Sequence, residues 1–195
     1  MRYNRTMESR STFLNPVVAA CAMFFVVAPV QASESNANNE VSELLAELKE
    51  PDQERWQRIE RQIARLWSRS GSASADLLLQ RGREAMSRGD TTAAIDHFSA
   101  LIDHAPDFAE GYHARATAWY MAGNLGLALD DLRQAIVRNP DHFSALAGLG
   151  RVFEDLRQYE RARAAFRASA AIHPHRADVK EALERVEREL TGIAL

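Results

Sequence analysis

Leu146-Ala-Gly-Leu149-Gly150-Arg-Val-Phe153 opens the stretch that decides the fold, and Ala162-Arg-Ala-Ala-Phe166 and Pro174 complete it. The marked residues recur upstream at a constant step of 34 residues. Pro106, Pro140 and Pro174 keep that step, as do Ala94, Ala128 and Ala162. Phe98, Leu132 and Phe166 keep it as well, with Gly82, Ala116 and Gly150, and with Ala85, Trp119 and Phe153. Sets that stay in phase through three copies mean one supersecondary unit, copied and stacked. The period predicts the architecture; a stacked scaffold does not name its ligand.

Each copy contains two runs with helical periodicity. In the third, Leu146, Leu149, Val152, Phe153 and Leu156 share one face at steps of three and four. Gly150 lies inside that run, where glycine costs about 1 kcal/mol relative to alanine. The cost makes sense where a second helix must come close, and Ala94, Ala128 and Ala162 read the same way. Gly89-Asp90-Thr91 and Gly123-Asn124 write the turn between the two helices. Glycine suits the position past a helix end, and Asp or Asn suits the next N-cap. The third copy has Arg157 where the glycine stands, which predicts a strained turn. The three prolines stop each second helix, since proline lacks the N–H and clashes backward.

These residues and spacings resemble the tetratricopeptide repeat. Residues 75–108, 109–142 and 143–176 are the three copies, the first departing with Ala85 at the aromatic position and Leu101 at a small one. The resemblance implies an all-α, right-handed solenoid of three helix-turn-helix repeats. It also implies a concave groove, lined by the first helix of each repeat, that takes a peptide, a loop or a helix of a protein partner. Carried over by position, the groove residues are Leu79, Arg83 and Met86, then His113, Thr117 and Tyr120, then Ala147, Arg151 and Glu154. Family members that grip a C-terminal carboxylate use Lys, Asn and Arg side chains in this groove. Leu79, Ala114, Ser144 and Gly148 stand at those positions here, so that clamp is not expected. Arg83 and Arg151 remain as groups able to pair with a partner's carboxylates.

Outside the copies, residues 33–40 are polar and aperiodic and read as a flexible linker. Residues 41–72 read as a helical hairpin, either an N-terminal cap or a degenerate repeat. Leu44, Leu45 and Leu48 line its first helix, and Trp56, Ile59, Ile63, Leu66 and Trp67 its second. Residues 177–190 read as a capping helix with Val179, Leu183, Val186 and Leu190 on one face.

The first 32 residues have the make-up of an export signal. Arg2, Arg5 and Arg10 give a positive start, an apolar run extends from Phe13 to Val30, and Val30-Gln31-Ala32 offers a cleavage site. Cleavage after Ala32 predicts a periplasmic or secreted product without a membrane span and, because Cys21 is the only cysteine, without a thiol. Two alternatives keep the chain at a membrane as an envelope assembly factor: an uncleaved anchor, or lipidation at Cys21 in Val18-Ala19-Ala20-Cys21. The chain also resembles short exported tetratricopeptide proteins of alphaproteobacteria, through Trp67-Ser-Arg-Ser-Gly-Ser72 with Asp76-Leu-Leu-Leu79 and through His142-Phe-Ser-Ala-Leu-Ala-Gly-Leu-Gly150. That likeness implies an envelope setting.

With 24 basic against 27 acidic residues, no strong field points to nucleic acid. His173-Pro174-His175 is the one metal-like pair, but a metal site needs three or four convergent ligands, so no metal is expected. HExxH, a Walker A loop, GxGxxG after a strand and Gly-x-Ser-x-Gly are all missing. The expected function is therefore protein binding without catalysis or cofactor.

Overall fold

A computed structural model describes residues 30–192. Among the described residues there are nine helices and no strand. They are α1 (Val30–Lys49), α2 (Trp56–Trp67), α3 (Ala73–Ser87), α4 (Thr91–His104), α5 (Ala109–Met121), α6 (Leu125–Arg138), α7 (Phe143–Asp155), α8 (Tyr159–Ile172) and α9 (Ala177–Thr191). The pairs α3–α4, α5–α6 and α7–α8 are the three copies, and α9 packs on α8. Pro106, Pro140 and Pro174 each stand just beyond the end of a second helix.

The turns obey the sequence chemistry. Gly89 and Gly123 adopt φ of 77° and 78° between first and second helices. Arg157 is forced into the same left-handed region at φ 56°, where a side chain costs roughly 1–2 kcal/mol. Ser72 and Asp90 cap α3 and α4 by accepting the N–H of Ala75 and Ala93.

Within each copy the two helices meet at a matched pair. A Cβ placed on Gly150 would lie 2.6 Å from the Phe166 ring, and one on Gly82 would collide with Phe98. The middle copy carries Ala116 with Leu132, a larger residue facing a smaller one, in a single buried cluster. Ala94, Ala128 and Ala162 have no exposed surface, as expected for helix crossings.

Polar joints were not visible in the period. Arg115 on α5 donates from Nε and Nη2 to the two carboxylate oxygens of Asp131 on α6, each at 2.8 Å, and from Nη1 to Ser99 on α4. Asp131 is buried. Ser169 Oγ, also buried, donates to the Phe143 carbonyl at 2.8 Å and ties α8 to α7.

The N-terminal region corrects two expectations. Residues 33–40 are not a linker: they are helical, within α1. The segment holds no Gly or Pro, and extending a helix that α2 already anchors costs little. The hairpin also does not stack on the first repeat as an N-terminal cap. Leu45 and Leu48 of α1 and Ile59 and Ile63 of α2 are buried in one cluster with Phe143, Leu146 and Ile172 of the third copy. The surface that receives it is apolar, built from Phe143 and Leu146 of α7 and Ile172 of α8. The export segment lies outside the described residues except for Val30–Ala32, which begin α1. No described helix is long and apolar enough to cross a membrane.

Candidate functional site

A pocket of about 120 Å³ opens between the first helices of the second and third copies. His113, Thr117 and Tyr120 of α5 face Ser144, Gly148 and Arg151 of α7 across it, and Arg176 closes one end. Four of the nine expected groove residues therefore meet there: His113, Thr117, Tyr120 and Arg151. Arg83 is exposed on α3, Met86 packs partly against the core of the first copy, and Glu154 turns to Arg185 of α9 at 3.0 Å. Leu79 and Ala147 are not groove residues. Leu79 is 2% exposed, in a cluster with Ala114 and Ala118, whose small side chains let α5 close over it. Ala147 is fully buried in a cluster with Val179 and Ala182, because α9 takes the place of a fourth first helix.

The arginines of the groove have partners within the chain. Arg151 Nη2 lies 3.0 Å from Asp178 Oδ2, and Arg176 Nε donates to Asp178 Oδ1 at 3.0 Å. Hydrogen bonds from Arg176, opposed by burial and helped by the charges of Arg176 and Arg151, hold the Asp178 carboxyl below its usual range. Two cations thus share one carboxylate. Tyr120 has its hydroxyl pKa raised, first by a hydrogen bond to Asp155 and then by burial. Position within the repeat pointed to Arg151; nothing in the period pointed to Arg176, the last residue of the third copy, or to Asp178 in the capping helix.

Beside this pocket sits a denser cluster, centred on Glu110. Its Oε2 accepts from His142 Nε2 at 3.0 Å and lies 3.3 Å from His113 Nδ1, while Oε1 accepts from Arg83. Burial pushes the Glu110 carboxyl up, but the charge of His113 and the hydrogen bonds from His113 and His142 outweigh it, leaving the group far below the carboxylate range. Burial holds the His142 ring below the ordinary histidine value, with the Glu110 bond pulling it partly back.

Glu110, His113 and His142 have the mutual spacing of a metal triad. The protonation pattern opposes that reading. His142 Nδ1 accepts the Ala145 N–H as the N-cap of α7, at 3.2 Å, so the proton of the neutral ring sits on Nε2. Nε2 then donates to Glu110 and has no lone pair for a cation. The cluster is a hydrogen-bond junction that joins all three copies.

The hairpin closes this end of the groove. Trp67 stacks on His142 with ring centres 4.6 Å apart, and Ser68 Oγ accepts from Arg83 at 3.0 Å. At the other end of α2, Trp56 stacks on His175 and meets His173 edge-on. His175 Nε2 donates to the Leu48 carbonyl at 3.1 Å. The expected turn pair His173/His175 is thus a docking point for the hairpin. A cleft of about 660 Å³ separates the hairpin from the copies, walled by Val41, Leu45, Trp67, Phe108, Glu110 and His142 among others.

Comparison with known proteins agrees with the repeat fold. The family model described as Tetratricopeptide repeat matches residues 79–136 and 122–177. A TPR repeat-containing protein of Rhizobium etli is 26% identical over 179 residues, spanning 91% of this chain and 88% of that protein. Among solved structures, the first TPR of Spaghetti bound to an HSP90 peptide has a TM-score of 0.61 at 21% identity, over 62% of this chain and 95% of that one. The Sgt2 TPR domain of Aspergillus fumigatus has a TM-score of 0.59 at 25% identity, over 62% of this chain and 81% of that one.

Proposed function

Because this chain belongs to the tetratricopeptide repeat family, we propose that it is a protein-interaction module that holds a short segment of a partner in the pocket between α5 and α7. One observation carries the reading: the pocket is open, and its polar groups converge from two successive first helices and the start of α9. The HSP90 peptide seen with the Spaghetti domain supports a peptide-sized occupant. Arg151 and Arg176 share Asp178, with Asp155 held at Tyr120, so the partner segment carries a carboxylate that competes with Asp178 for the two guanidinium groups. Tyr120 supplies rigid aromatic area, and Gly148 leaves room beside it. The module is a scaffold rather than an enzyme.

Selection from a random peptide library on the immobilised protein tests this. Retained peptides should be acidic and bind with about micromolar strength, near −8 kcal/mol. Arg151→Ala should weaken them in a salt-dependent way, and Tyr120→Ala should weaken them with little salt dependence. Peptides that bind both variants as well as the parent would place the contact surface elsewhere.

The reading extends to location. The charged start, apolar run and Val30-Gln31-Ala32 site support export with cleavage after Ala32, to the periplasm or beyond the cell. The mass of the protein recovered from cells distinguishes the possibilities. A chain beginning at Ser33 fits a soluble module. One beginning at lipid-bearing Cys21, or retaining Met1, makes it a membrane-tethered assembly factor instead.

A further inference from the structure

We propose that the Trp67 end of the hairpin is an acid-opened gate between the cleft and the groove pocket, with His142 as its trigger. The gate is built from a stack: Trp67 on His142 at 4.6 Å, and His142 against His113 at 4.5 Å. The stack stands between two cavities. Glu110 and His142 line the cleft on the hairpin side, and His113 and Ser144 line the pocket on the groove side. Lifting Trp67 frees His142 to swing away from His113, which joins the two spaces and lengthens the groove.

The trigger follows from the occupancy of the ring. Neutral His142 uses both nitrogens: Nε2–H donates to Glu110, and Nδ1 accepts the Ala145 N–H. The proton added in acid has only Nδ1 to go to, where it meets the Ala145 N–H head-on. Protonation therefore removes the cap of α7 and displaces the ring on which Trp67 rests. The ring is 2% exposed, so water does not replace the lost bond while the gate is shut.

The charged neighbours bear on the sign, and Arg69, Arg138 and Asp141, which line the same cleft as His142, together add one positive charge that disfavours a further proton. From α5, Glu110 favours the cation, but it already accepts from His113 and from Arg83 of α3. The charge of His113 opposes a proton on the ring. From α2, Trp67 and Leu66 are uncharged, and Phe143 is apolar. Burial lowers the pKa of His142 in the closed state. A lowered value means that the open form binds the proton more tightly. Closure is then complete above the free histidine value of about 6.5 and is lost as pH falls below it. The far end of α2 has contacts of its own with the turn after α8: Glu60 faces His173 at 3.7 Å and Trp56 stacks on His175, and this end serves as the hinge.

Amide exchange of the full chain at about pH 7.5 and about pH 5, corrected for the intrinsic rate, tests the gate. The last turn of α2, Ile63–Trp67, and the Ala145 and Leu146 amides should lose protection by about tenfold per pH unit, while α4, α6 and α8 keep theirs. His142→Asn retains a capping acceptor and cannot titrate, so its α2 protection should not respond to pH. Unchanged protection at Ile63–Trp67 in the parent protein overturns the proposal. So does a loss shared equally by all helices, which is acid unfolding, or the same response in His142→Asn. If that variant does not fold, the two outcomes in the parent protein still decide.

Discussion

Replacing Arg115 with Met should destabilise the fold by about 3 kcal/mol, because it strands Asp131 as a buried, unpaired carboxylate. Asp131 accepts both of its bonds from that one guanidinium, at 2.8 Å each, and its side chain is 8% exposed. Arg115 is itself partly exposed, which places the loss at the lower end of the range for buried pairs. Arg115→Met combined with Asp131→Leu should recover most of the stability, since no charge is then left without a partner. Urea unfolding of the two single variants and the double variant measures this. A double variant no better than Arg115→Met would show that the pair acts through shape and not through charge.

The second large effect is expected at the matched pair of the third copy. Gly150→Ala places a Cβ about 2.6 Å from the Phe166 ring, closer than real contacts allow. Overpacking of this kind costs roughly 1–3 kcal/mol, against a gain of about 1 kcal/mol in helix propensity. Phe166→Leu alone leaves a void and should also destabilise. Together the two changes recreate the Ala116/Leu132 pair of the middle copy, so the double variant should be more stable than Gly150→Ala. A coupling energy of about 0.5 kcal/mol or more in the double-mutant cycle is the expected result. Strict additivity would mean that α7 and α8 shift apart and the pairing carries no specificity.

The repeats were legible because their constraint is steric and local. A glycine or alanine is required wherever two helices cross, and each copy restates the requirement at Gly82, Ala116 and Gly150. Arg157 was legible for the same reason, as a side chain standing where a left-handed turn wants glycine. The groove was legible only in part. Equivalent positions in different copies do not have equivalent neighbours: α5 covers Leu79 and α9 governs Ala147, while His113 and Tyr120 stay accessible. The charged joints left no trace in the period. Arg115–Asp131 and the Glu110 junction use positions at which the copies differ. Each of these residues looks like an ordinary solvated charge until its partner on another helix is known. The hairpin was legible as two amphipathic helices. Its seat was not, because an apolar stripe does not specify which apolar edge will receive it.

That seat has a consequence for the order of folding. A row of stacked repeats is built from contacts near in sequence, and each unit leans only on the next. Here the contact between Leu48 and His175 closes a loop of 127 residues. Its entropic cost must be met before docking is rewarded, and the receiving edge exists only once the third copy has formed. On a ribosome α1 and α2 emerge before the copies do, and they wait for their place until α8 and the turn after it have been made.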